Sequence, residues 1–469
     1  MKKSVLYDWI DRNQQLLRDA AKRIWENPEK PLSEHMASGL QVEILKNEGF
    51  RIRRDIPDLP TAFVAEYGKG SPVIGITGEY DALPRLSQRL SATRDPLEEG
   101  GSGHGCGHNL LGTGGVGAVL AVKQAIAAGD LSGRVRYYGC PAEEVLVGKV
   151  HMMKAGVFDD LDACLSWHPA SMNKVWGCSF LALNSALFHF KGISAHAAAA
   201  PDMGRSALKG VELMNIGAHY LREHMPEKAR MHCTITNGGG EPNVVPSEAT
   251  VWYYVRAPKR EQVEEIFARL EKVAQGAAMM TETEVRMEFL AGCYEILPNQ
   301  VLGSLLHRNM LEAGAPKFSE EERKFAADLA STFPKGQKKK IVESYFAPAE
   351  LSEKVLHEDI VEGNDTGQVM SGSIDLGDVS WNVPFAQFVA ATWPVGTPAH
   401  SWQATASSGS EIGMKALLFA SKTLAGTVYD LMADAGGSLL EESRKEFLKA
   451  TEGFTYKNPI PEGVKPKVP

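Results

Sequence analysis

Cysteine is sparse in this chain: there are six in 469 residues. They stand at 106, 140, 164, 178, 233 and 293, with no spacing that reads as a disulfide framework. Scattered thiols in a chain of this size indicate a reducing compartment, so a cytoplasmic location is expected. The first residues lack the apolar core of a signal peptide, because Asp8 and Asp11 interrupt it early. No apolar run reads as reaching bilayer length, and no membrane span is expected. Positive charge is not in excess either. Lys and Arg total 50 against 58 Asp and Glu, a net charge of -8, which argues against a general nucleic-acid binder. Internal repeats and low-complexity segments are not evident.

What is there is the composition of a globular protein, 43% hydrophobic and 23% charged. The length exceeds one ordinary core, so two domains are expected, one of them interrupted by the other. Helical periodicity predicts a long amphipathic helix over 4–26 and a second over 33–48. Strands are predicted over 63–67, 73–77, 135–139 and 162–167, and a buried helix over 114–128. Strand, loop, helix, repeated, is the α/β pattern, and sites in such sheets gather at the carboxyl ends of the strands. From about 185 the texture changes. Strands over 186–192, 230–235, 249–255 and 284–290, with helices over 206–223 and 260–277, follow the β-α-β-β-α-β order of a ferredoxin-like α+β unit. The expected plan is a catalytic domain, 1–184 and 297–469, around an insert at 185–296. Residues 317–365 are polar and weakly periodic and are expected to form a surface excursion. A final helix is predicted over 408–433.

Chemistry concentrates in four loops. Gly103-His104-Gly105-Cys106-Gly107-His108-Asn109 places a thiol and an imidazole two residues apart, with glycines that let the backbone bend both toward one centre. Glu143 and Glu144 follow Pro141 at the end of a strand. Adjacent carboxylates cannot serve identical roles from an extended backbone, so one can bind a metal while the other takes a proton. His168 follows Trp167 at another strand end, and His400 follows Gly396-Thr397-Pro398-Ala399. Alone, each of these reads as an ordinary core or surface residue. Together they offer one thiolate, three imidazoles and two carboxylates, enough for two metals about 3.5–4 Å apart with a bridging water. A ligand shared by two dications must be anionic, and Cys106 is the sulfur candidate. His104 is a candidate support for the ligands. Eight of the other nine histidines, 35, 151, 189, 219, 224, 232, 307 and 357, have no matching loop context.

These motifs, with Gly78-Glu79-Tyr80-Asp81-Ala82-Leu83, Tyr138-Gly139-Cys140-Pro141 and Asp375-Leu376-Gly377-Asp378, resemble the M20 metallopeptidase/amidohydrolase family, in its cysteine-containing branch. The likeness spans nearly the whole chain. It implies an α/β/α metallo-exopeptidase-like catalytic domain with a lid and dimerisation insert. It implies one divalent ion on Cys106, His108 and His168 and a second on Cys106, Glu144 and His400, with Zn2+ or Mn2+ as the metal. Glu143 matches the family's general base, and Asp81 the acid that supports the ligands from behind. In the insert, His196 matches a residue that reaches the scissile carbonyl across a dimer. Asn243 and Arg256 match positions that bind substrate carbonyl or carboxylate. Most members bridge their metals with Asp where this chain has Cys106, and many of the cysteine branch carry Asp where it has Asn109. The expected reaction is hydrolysis of the amide in an N-acyl or aroyl amino acid of the p-aminobenzoyl-glutamate kind, a folate-breakdown product. The alternatives are a dipeptidase, another N-acyl-amino-acid hydrolase, or a non-catalytic partner in a two-chain hydrolase. The expected assembly is a homodimer or a heterodimer with a related subunit.

Overall fold

Short apolar runs that end in polar residues build the sheet that holds the chemistry. The computed structural model describes residues 3–362, 365–434 and 436–468. In chain order its strands are β1 (Arg51–Arg53), β2 (Phe63–Lys69), β3 (Val73–Glu79), β4 (Gly133–Cys140), β5 (Ala163–Ala170), β6 (Lys174–Val175), β7 (Ala182–Lys191), β8 (Arg230–Asn237), β9 (Glu248–Ala257), β10 (Glu284–Cys293) and β11 (Phe385–Ala391). The chain divides into two units. The larger comprises 1–179, 297–370 and 379–457; the smaller comprises 180–296, 371–378 and 458–469. The last two pieces of the smaller unit lie outside the span read from sequence.

The larger unit holds a seven-stranded sheet in the order β1-β2-β4-β3-β5-β11-β6. Its centre is parallel: β4 and β5 both pair with β3, and β11 pairs with β5. The edges are antiparallel, β2 on β4, β1 on β2 and β6 on β11. β3, β5 and β11 are buried at every residue, as strands covered on both faces must be. β11 was not anticipated from sequence, nor were β1, β6 or the helix Ser438–Ala450.

The central helix runs His108–Ala127, starting six residues before the predicted one. Gly107, its N-cap, has φ 75° and ψ 23°, a left-handed turn that a side chain strains against. That turn lets the helix begin at His108 itself. The helix then lies close on the sheet: a Cβ at Gly115 would come within 2.8 Å of the Tyr137 ring, and one at Gly114 within 2.8 Å of Trp167 Nε1. Contrary to expectation, this helix is long and apolar enough to cross a membrane. Its placement explains the composition, since 78% of the apolar window is buried inside the structure. Helix Glu411–Ala433 packs against it, with Ser421 Oγ donating to the Gly114 carbonyl at 3.0 Å.

Two other expectations are corrected. The predicted helix 4–26 is two helices, Ser4–Arg12 and Gln14–Glu26. Asn13 breaks it, because its side-chain amide donates to the Trp9 carbonyl at 2.8 Å, in competition with the helical ladder. The excursion at 317–365 carries two helices, Glu320–Ala330 and Gln337–Ser344. The first carries a Ser319/Glu322 capping box. Phe318, Ala326 and Leu356 form a small core with Ile412. Residues 363 and 364 of that segment lie outside the described residues. The helix predicted over 408–433 is Glu411–Ala433, with a short helix, Trp402–Ser408, before it and Ser438–Ala450 after it.

The smaller unit is a four-stranded antiparallel sheet in the order β10-β7-β9-β8. Helices Ala207–Leu221 and Arg260–Thr281 cover it. Their buried faces meet Phe188, Phe190, Val251, Tyr253 and Val255 in a core of its own. This is the ferredoxin-like arrangement, and β8 is an exposed edge.

Candidate metal centre

The carboxyl ends of β3, β4, β5 and β11 lie on one side of the sheet, and each delivers polar groups there. β3 ends at Glu79 and runs on to Asp81. After β4, Glu143–Val145 form a single 3-10 turn, flanked by the left-handed residues Ala142 (φ 56°) and Leu146 (φ 58°). Glu34 supports this turn. It is fully buried and accepts from the Ala142 amide at 2.9 Å and the Thr61 hydroxyl at 2.8 Å. His168 lies within β5. His400 follows β11, and its backbone amide donates to the Gly105 carbonyl at 2.9 Å.

Among the described residues, three sets of donor atoms each lie within 4.8 Å of one another: Cys106, His108 and His168; Cys106, Glu144 and His400; and Glu79, His108 and Glu143. The first two share one sulfur and bring together five of the residues singled out from sequence. Cys106 Sγ is 3.4 Å from His168 Nε2, and Glu144 Oε2 is 3.2 Å from His400 Nε2. Only His400 is open to solvent, with 53% of its side chain exposed.

Hydrogen bonds aim the imidazoles. His108 Nδ1 lies 2.9 Å from Asp81 Oδ1, which leaves Nε2 facing the cluster. That nitrogen is buried and makes no hydrogen bond, and the same holds for Glu144 Oε1 and Glu79 Oε2. His168 Nδ1 donates to the Pro169 carbonyl at 2.7 Å, so Nε2 keeps its lone pair. Asp81 uses its second oxygen to accept from the Glu144 amide at 2.9 Å. His104 turns instead to the Ile24 carbonyl at 3.1 Å.

The electrostatics point to a need for positive charge. Burial, then the Glu144 charge, push the Cys106 thiol well above its ordinary value. Burial also pushes the Glu144 carboxyl up to about 8; His108 opposes this, and Asp81 and Glu79 add to it. Burial would lower His108, but Cys106 and Asp81 outweigh it and raise the ring. Burial alone would raise Asp81 too, yet the His108 bond and charge hold it below the ordinary carboxylate range. His168 is brought down to about 4, by burial first and then by His108. Four carboxylates and a thiol thus crowd a dry pocket with one lysine, Lys149, against Glu79 at 2.6 Å. Buried imidazole and carboxylate atoms without partners, beside the Cys106 thiol, fit divalent cations.

Sequence reasoning missed Glu79 as a member of the cluster, and with it Lys149, Glu34 and Trp176. A signal existed for Glu79. Two residues before Asp81 in an extended strand, it points to the same side. Trp176 stacks on the His168 ring at 5.5 Å, and Tyr345 stacks on Trp176 at 5.9 Å.

The residues nominated in the insert lie in the smaller unit. His196 forms an isolated bridge with Val244, and Ala197 N donates to the Asn243 carbonyl at 2.8 Å, so His196 and Asn243 share one pair of loops. Arg256 is elsewhere, near the end of β9, where it donates to Ser373 Oγ at 3.2 Å and lies over the Tyr254 ring.

Comparison with known proteins agrees with this architecture. Residues 182–279 match the peptidase dimerisation domain. The chain is 40% identical to one of the p-aminobenzoyl-glutamate hydrolase subunits of Escherichia coli (strain K12), over 98% of this chain and 97% of that protein. It is 29% identical to the Xaa-Arg dipeptidase of Mus musculus, over 93% and 90%. Among solved structures, the aminobenzoyl-glutamate utilization protein from Klebsiella pneumoniae superposes with a TM-score of 0.59 at 19% identity, covering 88% of this chain and 98% of that one. A dinuclear metal-binding M20 peptidase from Bacillus subtilis gives 0.56 at 18%, covering 90% and 99%. At those identities the likeness is one of fold.

Proposed function

We propose, from the premise that this chain belongs to the M20 family of metal-dependent peptidases and amidohydrolases, that it cleaves the amide of an aroyl amino acid, with p-aminobenzoyl-glutamate as the type substrate. The observation that carries the reading is the pair of donor clusters sharing Cys106 Sγ, with the buried Glu143 carboxylate 3.8 Å from His108 Nε2. The 40% identity to a p-aminobenzoyl-glutamate hydrolase chain supports the substrate class.

Cys106, His108 and His168 would hold one divalent ion, and Cys106, Glu144 and His400 a second. Zn2+ suits the thiolate and imidazoles, and Mn2+ is the other candidate. Such ions, when bound, supply Lewis acidity that brings the pKa of water to about 7. Glu143 accepts the proton of the attacking water at a carboxylate oxygen and delivers it to the departing nitrogen. Asp81 fixes the His108 tautomer through Nδ1. The Glu34-anchored turn keeps Glu143 and Glu144 on different tasks: the first moves a proton, the second binds. The roles proposed for His196 at the substrate carbonyl, and for Asn243 and Arg256 at the terminal carboxylate, rest on the family motif. We also propose a dimer formed through the 182–279 domain, with a second copy or with a related subunit.

The test uses full-length protein, elemental analysis, and a panel of p-aminobenzoyl-glutamate, acetyl-glutamate and Xaa-Arg dipeptides. Glu143→Gln keeps its metal and loses about 10²–10⁴-fold in kcat. Unchanged turnover refutes the base assignment. Wild-type turnover confined to Xaa-Arg dipeptides refutes the aroyl substrate class.

A further inference from the structure

One fully buried ion pair has no part in the reaction as described. Glu79 closes β3, and Lys149 is the second residue of helix Gly148–Lys154. Both side chains are wholly buried, with Nζ 2.6 Å from Oε1. The other carboxylate oxygen, Oε2, is 3.2 Å from His108 Nε2, and Glu143 Oε2 is 3.8 Å from the same nitrogen. Glu79 Oε2 and His108 Nε2 are both buried and make no hydrogen bond. Glu79, His108 and Glu143 form the third of the donor sets.

Taking a carboxylate and an ammonium out of water costs several kcal/mol per ion, and their attraction repays it only when the remaining lone pairs are satisfied. Here Lys149 Nζ lies 2.6 Å from one oxygen as an ion pair. The other faces Nε2 of an imidazole whose Nδ1 is held by Asp81 at 2.9 Å. The two atoms lie 3.2 Å apart, both buried and neither in a hydrogen bond, an arrangement that a cation beside them would satisfy. Glu79 cannot turn Oε2 away without giving up the short Lys149 contact. An ion that takes His108 Nε2 as a ligand therefore has Oε2, 3.2 Å from that nitrogen, as a neighbour.

We propose that Glu79 is a further carboxylate ligand of the ion held by His108, and that Lys149 is the positioning residue that aims it. The proposal rests on the reading that Cys106, His108 and His168 hold an ion, and adds a ligand to that set. Glu79 shares His108, and not Cys106 or His168, within one donor set, so the ion would complete a thiolate, two imidazoles and a carboxylate only after a short shift of the Glu79 side chain toward it. Lys149 would offset one negative charge of a pocket whose five acidic groups, Glu79, Asp81, Cys106, Glu143 and Glu144, outnumber the four positive charges of two dications.

The experiment measures metal per chain and zinc affinity by chelator competition, without reference to turnover. The double variant Glu79→Gln/Lys149→Met removes both members of the pair, so it tests the ligand rather than an orphaned ammonium. It is expected to keep one ion at wild-type affinity and to bind the other at least tenfold more weakly. Both ions held within twofold of wild type would overturn the proposal. Cys106→Ser separates the two readings: if it retains both ions undiminished, the shared-sulfur site fails, whatever Glu79 does. A crystal structure of the zinc-loaded wild type decides the matter without mutation. A Glu79 Oε2–zinc distance of about 2.0–2.2 Å supports the ligand, and one beyond about 3 Å removes it.

Discussion

His357 shows how one buried ring can set a pH limit. Its Nδ1 accepts the Asn173 backbone amide at 3.1 Å, and Asn173 in turn donates to the His357 carbonyl and accepts from Ala391 N at 2.8 Å. Protonating Nδ1 would set two donors against each other. Burial, helped by Lys354, takes this histidine from 6.5 down to about 4. Between those values the unfolded chain binds a proton that the folded chain does not, so stability is whole above pH 6.5 and declines as pH falls toward 4. One such group contributes about 1.4 kcal/mol per pH unit inside that window. Urea midpoints at pH 7 and pH 5 are expected to converge in His357→Gln relative to wild type; an unaltered gap would rule the residue out as a source. At this scale the sequence spoke unevenly. Cys106 and His108 announced themselves by a glycine-spaced pair, and Glu143 and Glu144 by adjacency after Pro141. Lys149 gave no sign, because a lysine in an ordinary helix reads as a surface charge until the fold closes over it.

Among elements, the segment from Glu320 to Ser344 departs most from expectation. Its polar, lysine-rich text concealed two helices because only a few apolar positions, Phe318, Ala326, Leu329 and Val342, are needed to seat them. It is also fastened to the sheet. Lys174 Nζ, from β6, donates to the carbonyls of Tyr345 at 2.7 Å and Phe346 at 3.3 Å and meets Asp365 Oδ1 at 2.5 Å, with Lys174 and Asp365 almost fully buried. Tyr345 then lies against Trp176, and Trp176 against His168. Lys174→Met strands a buried carboxylate and is expected to cost about 3–5 kcal/mol. Adding Asp365→Asn should restore only part of that, since two carbonyls stay without their donor. A double-mutant cycle in urea measures both, and a loss below about 1 kcal/mol would mark the pair as no more than a surface bridge. β11 escaped notice for a different reason. Phe385–Ala391 is a brief apolar run buried on both faces, with no alternation to distinguish it from helix.

For the molecule as a whole, the two-unit plan was legible because each unit has its own period: strand–loop–helix in one, β-α-β-β-α-β in the other. The short returns at 371–378 and 458–469 were not, since a few residues carry no pattern that says which core they join. All five metal ligands proposed from the motif, and Glu79, belong to the larger unit. Removing metal should therefore loosen that unit and spare the other. At a free ion concentration 100 times Kd the lost stabilisation is about 2.7 kcal/mol. Hydrogen exchange after chelation is expected to rise in β3, β5 and helix His108–Ala127 while β7–β10 keep their protection. Protection unchanged throughout, or lost only from β7–β10, would contradict the assignment.

The amide of His400 and the carbonyl of Gly105 meet through main-chain atoms alone. The gap between those two loops is consequently set by a bond in which the ligand side chain at 106 takes no part. A scaffold pegged in this manner can exchange sulfur for oxygen at position 106 over evolutionary time without having to rediscover its spacing.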